Sequence, residues 1–208
     1  MIGLIGAHRT GKTTLAKAYA EEMEVPYVET SSSAVFERLG YSPKVDYDFG
    51  TRMIIQNAIL DDAIVKYSQH TGMFVTDRTP IDMLAYTIAD IQRQNLSLEQ
   101  SREFIKYFHR CFEESNKRFM CLTLIQPGIE IVDAPGKAPA NPAYMEHLNT
   151  IMLGLLVGEF NSSSHFYLPR RTTDMQERVE ALKFVVNKVV SRDFENIETL
   201  KAKGISIH

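Results

Sequence analysis

Short apolar runs alternate along this chain with longer stretches whose apolar residues recur every three or four positions. That alternation predicts a parallel sheet with helices on both faces, an α/β fold. The strand candidates are Ile2–Ile5, Pro26–Glu29, Met73–Thr76, Phe119–Ile125 and His165–Leu168. Leu15, Ala16, Ala18 and Ala20 start a helix after the first of them. Phe49, Met53, Leu60, Ala63 and Tyr67 share one face of a long helix, and Gln56 falls on the same stripe. Ser97 with Gln100 forms a capping box ahead of Phe104, Phe108, Cys111 and Ser115. Asn141-Pro142 places a cap before a proline suited to the first helical turn, and Tyr144, Leu148, Ile151 and Leu155 continue that helix. Thr173 with Gln176 caps a last helix whose buried face is Met175, Val179, Leu182, Val186 and Val189. The alternation breaks between Gln126 and Ala140, where Pro127, Gly128, Pro135, Gly136 and Pro139 leave almost no periodicity. A loop this long predicts a lid over about 126–141, within one domain spanning 1–208.

Composition narrows the partners. A net charge of −3 does not advertise a polyanion partner, although a local basic groove is allowed. No apolar run approaches the roughly 18 residues of a membrane span. Met1 to Gly6 run straight into functional-looking sequence, so no leader is expected and the chain reads as cytoplasmic. Cys111 and Cys121 are too few for a disulfide framework, and the six histidines show no ligand-like pairing.

The chemistry begins at Gly6-Ala7-His8-Arg9-Thr10-Gly11-Lys12-Thr13-Thr14, which matches G-x-x-x-x-G-K-[ST]. Consecutive backbone N–H groups of such a loop wrap a β-phosphate, and the following helix adds its positive N-terminal end. Lys12 is expected to bridge the β- and γ-phosphates of ATP, and the Thr13 hydroxyl to bind Mg²⁺. In a parallel sheet, active groups lie beyond the carboxyl ends of the strands. Glu29 ends the second strand candidate and Asp77 the third, with Arg78 next and Asp82 one turn into the following helix.

These residues resemble the deoxynucleoside kinase and thymidylate kinase group. The resemblance rests on the N-terminal P-loop, a glutamate closing the second strand, and Asp77-Arg78-Thr79 closing the third. The string from Asp77 to Tyr86 also resembles small, often phage-encoded P-loop kinases. The resemblance implies a three-layer fold with a five-stranded parallel sheet in the order 2-3-1-4-5. It implies that Glu29 takes the proton from an acceptor hydroxyl or, for a phosphate acceptor, positions sugar or metal. It implies that Asp77 is the Mg²⁺-associated acid and that Arg78 steadies phosphate.

On the acceptor side, Gln56 needs partners for a buried amide, and either a nucleobase edge or its own protein's backbone would serve. Arg52 lies one turn earlier on roughly the same face. Phe36, Tyr47, Phe49 and Tyr86 are aromatics that stack on a base or fill the core. The lid departs from the group's pattern: Lys137 is its one cation, with Glu130 and Asp133 nearby. Arg170 and Arg171 would supply the missing charge, stack on adenine, or form a solvated pair.

The expected activity is transfer of the γ-phosphate of ATP to a nucleoside, deoxynucleotide or related acceptor. One alternative is a kinase acting on a hydroxymethylated pyrimidine within DNA. Arg102, Lys106, Arg110, Lys117 and Arg118 alternate with glutamates, however, as a solvated face does. The other is an ATP-binding switch without a small acceptor. A homodimer is an allowed assembly.

Overall fold

A computed structural model describes residues 1–91, 94–130 and 141–202. The chain runs β1 (Ile2–Ile5), α1 (Lys12–Glu22), α2 (Ser32–Arg38), α3 (Phe49–Ser68), β2 (Val75–Thr76), α4 (Pro80–Ile91), α5 (Leu98–Arg118), β3 (Cys121–Ile125), α6 (Pro142–Val157), β4 (Ser164–Leu168) and α7 (Met175–Ala202). The strands form one sheet in the order β2-β1-β3-β4, every pair parallel. Side chains on successive strand residues point to opposite faces, so both faces must be covered. Ile2 and Leu4 pack with α1 and α7, alongside Leu15, Val179 and Leu182. Ile5, Leu122 and Leu124 face the opposite way, into a cluster built by α3, α4, α5 and α6.

The five-strand expectation is corrected in one respect. Pro26–Glu29 forms no strand, only a single parallel bridge of Tyr27 to Val75. The Val75 N–H donates to Pro26 O at 3.0 Å, and the Val28 N–H to Val75 O at 2.9 Å. Proline has no N–H to extend a ladder, and β2 is two residues long. The bridge still lies outside β2, so the spatial order of the five candidates is the expected one.

The helices keep their places while some faces rotate. The α3 stripe is buried as expected, Gln56 included. On α5 the buried residues are Tyr107, Cys111, Phe112 and Ser115, with Phe104 and Phe108 only partly covered. On α6 they are Met145, Leu148, Asn149, Met152 and Leu156, about one position round from the expected stripe. That helix is apolar nearly all round, so its sequence does not single out one face. The cap of α7 also shifts: Asp174, not Thr173, accepts the Glu177 N–H at 3.0 Å, and the Gln176 amide reaches Glu180 instead. Most of the expected lid, with Asp133 and Lys137, lies outside the described residues. Among the described residues no helix is long and apolar enough to cross a membrane.

Candidate active site

The loop from Gly6 to Gly11 leaves the carboxyl end of β1 and opens α1. Gly6 has φ 153°, and a Cβ there would lie 2.6 Å from Ile125 O, so the loop can leave the sheet this tightly only at glycine. Gly11 is left-handed at φ 83° and caps α1 without a side chain, leaving first-turn N–H groups available to an anion. The Thr10 hydroxyl donates to Ala7 O at 2.9 Å, and the Gly6 N–H donates to Asp82 Oδ1 at 3.1 Å. Lys12 Nζ folds back onto Gly6 O at 2.6 Å and Ala7 O at 2.8 Å, two acceptors that stand in for phosphate oxygens.

Asp77 and Asp82 take different roles. Asp82 is 2% exposed and also accepts from the Thr79 N–H at 3.0 Å and the Thr79 hydroxyl at 2.9 Å, so it ties α4 to the loop. Burial pushes its carboxyl up to about 6, against the pull of Lys12 and Arg78. Burial likewise lowers the Lys12 ammonium, and Asp82 and Asp77 oppose that shift. Asp77 points outward: the Thr13 hydroxyl donates to Oδ2, and the Tyr27 hydroxyl donates to Oδ1 at 2.9 Å. Burial and the Asp77 charge push the Tyr27 phenol well up, so it stays a donor.

Thr13 and Asp77 therefore present hard oxygen donors side by side in the cleft, with a single carboxylate. That set fits Mg²⁺, which keeps waters and takes phosphate oxygens rather than a full protein cage. Among the described residues no group of three His, Cys, Asp or Glu gathers to hold a metal alone. A cleft of about 310 Å³ runs over His8, Arg9, Gly11, Lys12, Thr13, Thr14, Asp77 and Arg78. All three catalytic expectations nearest the loop, Lys12, Asp77 and Arg78, line it.

A second cavity, of about 610 Å³, adjoins the first. Arg52, Gln56 and Ile59 of α3 form one wall, Met83, Tyr86 and Asp90 of α4 another, and Ser32 and Phe36 of α2 a third. Arg52 pairs with Asp90 inside the cavity. No side-chain hydrogen bond among the described residues ties down the Gln56 amide, so it remains available to a ligand at 8% exposure. Tyr86 lines the wall, and its hydroxyl accepts the His8 N–H at 3.1 Å. Arg78 donates to the Ser32 hydroxyl. His8 and Arg78 line both cavities, which meet there.

Five sequence expectations land elsewhere. Phe49 is core, 7% exposed at the start of α3, and lines neither cavity. Tyr47 packs on Tyr41 and accepts the Ser42 N–H at 2.8 Å. Arg170 is held by Glu146 of α6 and donates to Pro127 O at 3.2 Å, so it braces the segment after β3. Arg171 is exposed beside it. Glu29 is exposed beyond the Tyr27 bridge and lines neither cavity, although its charge reaches the Tyr27 phenol.

Other residues carry weaker sequence signals. Asp90 lies one and two helical turns after Tyr86 and Asp82, a spacing that puts all three on one stripe of α4. Tyr27 sits among apolar neighbours and reads as core. Arg178 reads as solvated but is fully buried, donating to Thr10 O at 2.8 Å and Thr172 O at 2.7 Å, which locks α7 against the phosphate loop.

Known proteins place this geometry. No curated protein matches the sequence. Deoxyadenosine kinase from M. mycoides with bound dCTP superposes with a TM-score of 0.63 at 13% identity, covering 90% of this chain and 98% of that one. The YorR protein from Bacillus subtilis, in complex with phosphorylated GDP, gives 0.52 at 12% identity over 89% and 95% of the two chains. NadR protein in complex with NR gives 0.61 at 14% identity and covers all of this chain, which spans 51% of NadR. At these identities the likeness establishes the fold, that of the P-loop kinases. The model of the AAA domain family matches residues 1–118, from β1 through α5. The chain thus belongs to the AAA domain family of P-loop proteins and carries the fold of the deoxynucleoside kinase-like group.

Proposed function

We propose that this chain transfers the γ-phosphate of ATP to a hydroxyl of a nucleoside or closely related acceptor. The observation that carries this reading is the junction of two cavities at His8 and Arg78. The P-loop cleft suits a triphosphate, and the larger cavity suits a base and sugar. Its size lies within the range of small-molecule sites, and its mostly apolar wall is interrupted by the Gln56 amide and the Arg52–Asp90 pair.

Charge favours a hydroxyl over a phosphate acceptor. Asp90 neutralises Arg52, leaving Arg78, among the described residues, as the one arginine of the second cavity not paired with a carboxylate. An acceptor phosphate, doubly charged near neutral pH, would call for more. The DNA reading has less support: Arg110 and Arg118 of the mixed α5 face pair with Asp61 and Glu114. A switch without an acceptor leaves the second cavity unexplained.

In the proposed reaction the acceptor hydroxyl oxygen bonds to the γ-phosphorus, and the bond from that phosphorus to the β–γ bridging oxygen breaks. ADP leaves with the electron pair, and the hydroxyl proton passes to a carboxylate; Glu29 is the candidate and, lying outside both cavities in this structure, would have to turn inward to take it. Thr13 and Asp77 would hold Mg²⁺, which neutralises charge on the phosphate oxygens when bound. Lys12 would leave Gly6 O and Ala7 O for the phosphates, and Arg78 would steady the transferring group.

The test offers ATP labelled in the γ-phosphate to nucleosides, nucleoside monophosphates and hydroxymethylated duplex DNA. Label on nucleosides is the expected result. Label only on monophosphates or only on DNA would replace the acceptor assignment, and ADP formation with no labelled product would favour a switch.

A further inference from the structure

His8 holds the third position of the phosphate loop and lines both the phosphate cleft and the larger cavity. Its place is set from two sides. The backbone N–H is bonded to the Tyr86 hydroxyl, and the ring lies 6.1 Å from the Tyr144 ring, tilted by 35°. Both tyrosines belong to the wall of the larger cavity. Nε2 is shut off from water and has no hydrogen-bond partner among the described residues. A core histidine is ordinarily satisfied by its own protein, and a buried nitrogen without a partner is unfavourable until something supplies one. This nitrogen belongs to a residue where a donor cleft opens onto an acceptor cavity. Burial first, then the charges of Lys12 and Arg9, lower the imidazole below its ordinary titration range. The ring is therefore neutral near pH 7 and offers one N–H and one lone pair.

We propose that His8 is a substrate-contacting residue whose ring turns on acceptor binding, bringing Nε2 out of its buried position to hydrogen-bond the attacking hydroxyl at the junction of the two cavities. This rests on the nucleoside-kinase reading above. A neutral imidazole suits a neutral hydroxyl, whereas an ionised acceptor phosphate would be better met there by a fixed cation. The hydrogen bond fixes the direction from which the oxygen approaches the γ-phosphate, and Glu29 remains the candidate for the proton. Arg78, the other residue shared by both cavities, is left to the phosphate.

The test compares wild type with His8→Asn and His8→Ala in three measurements. These are affinity for a non-hydrolysable ATP analogue, kcat/KM across a nucleoside panel, and the imidazole NMR signal that the substitutions remove. Affinity for the analogue should stay near wild type. The kcat/KM for the acceptor should fall about 10–100-fold in His8→Ala, the scale of a misdirected attacking group, and less in His8→Asn, which keeps a hydrogen-bonding side chain. In wild type the His8 signal should shift when nucleoside is added to the analogue complex. Unchanged acceptor kinetics, an equal loss of nucleotide affinity, or an unmoved His8 signal would each overturn the proposal. The NMR arm uses wild type, so it stands even if His8→Ala fails to fold. If wild type labels no nucleoside, the kinase reading fails and this proposal falls with it. If transfer proceeds and His8 is indifferent, this proposal alone falls.

Discussion

Asp82→Asn exposes an electrostatic cost built into the phosphate loop. The carboxylate is 2% exposed and accepts three hydrogen bonds, from the Gly6 N–H and from the Thr79 N–H and hydroxyl. Even with those bonds, and with Lys12 and Arg78 nearby, burial raises it from 3.8 to about 6. Between those two values the folded chain holds a proton that the unfolded chain has released. Stability from this group is therefore fully present below the unfolded value and is lost as pH rises through the folded one. The gap between those two values corresponds to about 3 kcal/mol. Urea unfolding of the nucleotide-free protein, measured from pH 4.5 to 7.5 in wild type and Asp82→Asn, isolates this contribution. Other titrating groups largely cancel in the difference between the two proteins. Relative to the asparagine variant, wild type should lose most of those 3 kcal/mol across the window. A difference that stays flat, or that favours wild type as pH rises, would refute the assignment of Asp82 as a buried carboxylate held against its desolvation cost.

Four further outcomes follow from the same geometry. Tyr27→Phe removes the donor to Asp77 Oδ1 and should weaken Mg²⁺ about 10–100-fold in a nucleotide-dependent titration, the scale for groups that orient metal ligands. Glu29→Gln should lower kcat by about 10²–10⁴ on a hydroxyl acceptor with ATP affinity nearly unchanged, and a near-wild-type single-turnover rate would end its candidacy as the base. Gly128→Ala places a Cβ 2.0 Å from the backbone oxygen of Arg170 and should cost about 1–3 kcal/mol in urea unfolding, since backbone must move to admit it. Lys12→Ala should abolish phosphoryl transfer while circular dichroism and the unfolding midpoint stay close to wild type, because the side chain reaches the loop's own carbonyls rather than the core.

The fold was legible where burial is two-sided. β1 and β3 are wholly buried on both faces, so they appear as unbroken apolar runs, and α3 shows its inward stripe at the right spacing. Legibility failed where local composition leaves more than one answer. Pro26–Glu29 has the apolar character of a strand, but its neighbour β2 offers only two residues to pair with. α6 is apolar on nearly every side, and the face that turned inward was decided by tertiary packing of Met145 and Met152. Thr173 and Asp174 are both competent caps, and the choice between them is a matter of one residue of backbone path.

The site divides along a different line. Its donor half is contiguous in sequence, because a phosphate cradle needs consecutive N–H groups and glycines at fixed offsets, and such a constraint is written locally. The cavity proposed for the acceptor is assembled from α2, α3, α4 and α6, where each contribution looks unremarkable in its own segment. Arg52 and Asp90 are 38 positions apart, and only the packing of α3 beside α4 makes them a pair. That pairing changes what the pocket can receive: an arginine read alone suggests a phosphate clamp, whereas the same arginine neutralised by a carboxylate presents a polar, uncharged edge. Removing the carboxylate should separate these views. Asp90→Asn releases the Arg52 charge into the cavity without changing its shape, so it should weaken a neutral nucleoside and improve binding of the corresponding monophosphate. Affinities of both ligands in wild type and Asp90→Asn, measured by calorimetry, decide it. A variant that weakens both equally would show that the pair serves packing rather than acceptor choice.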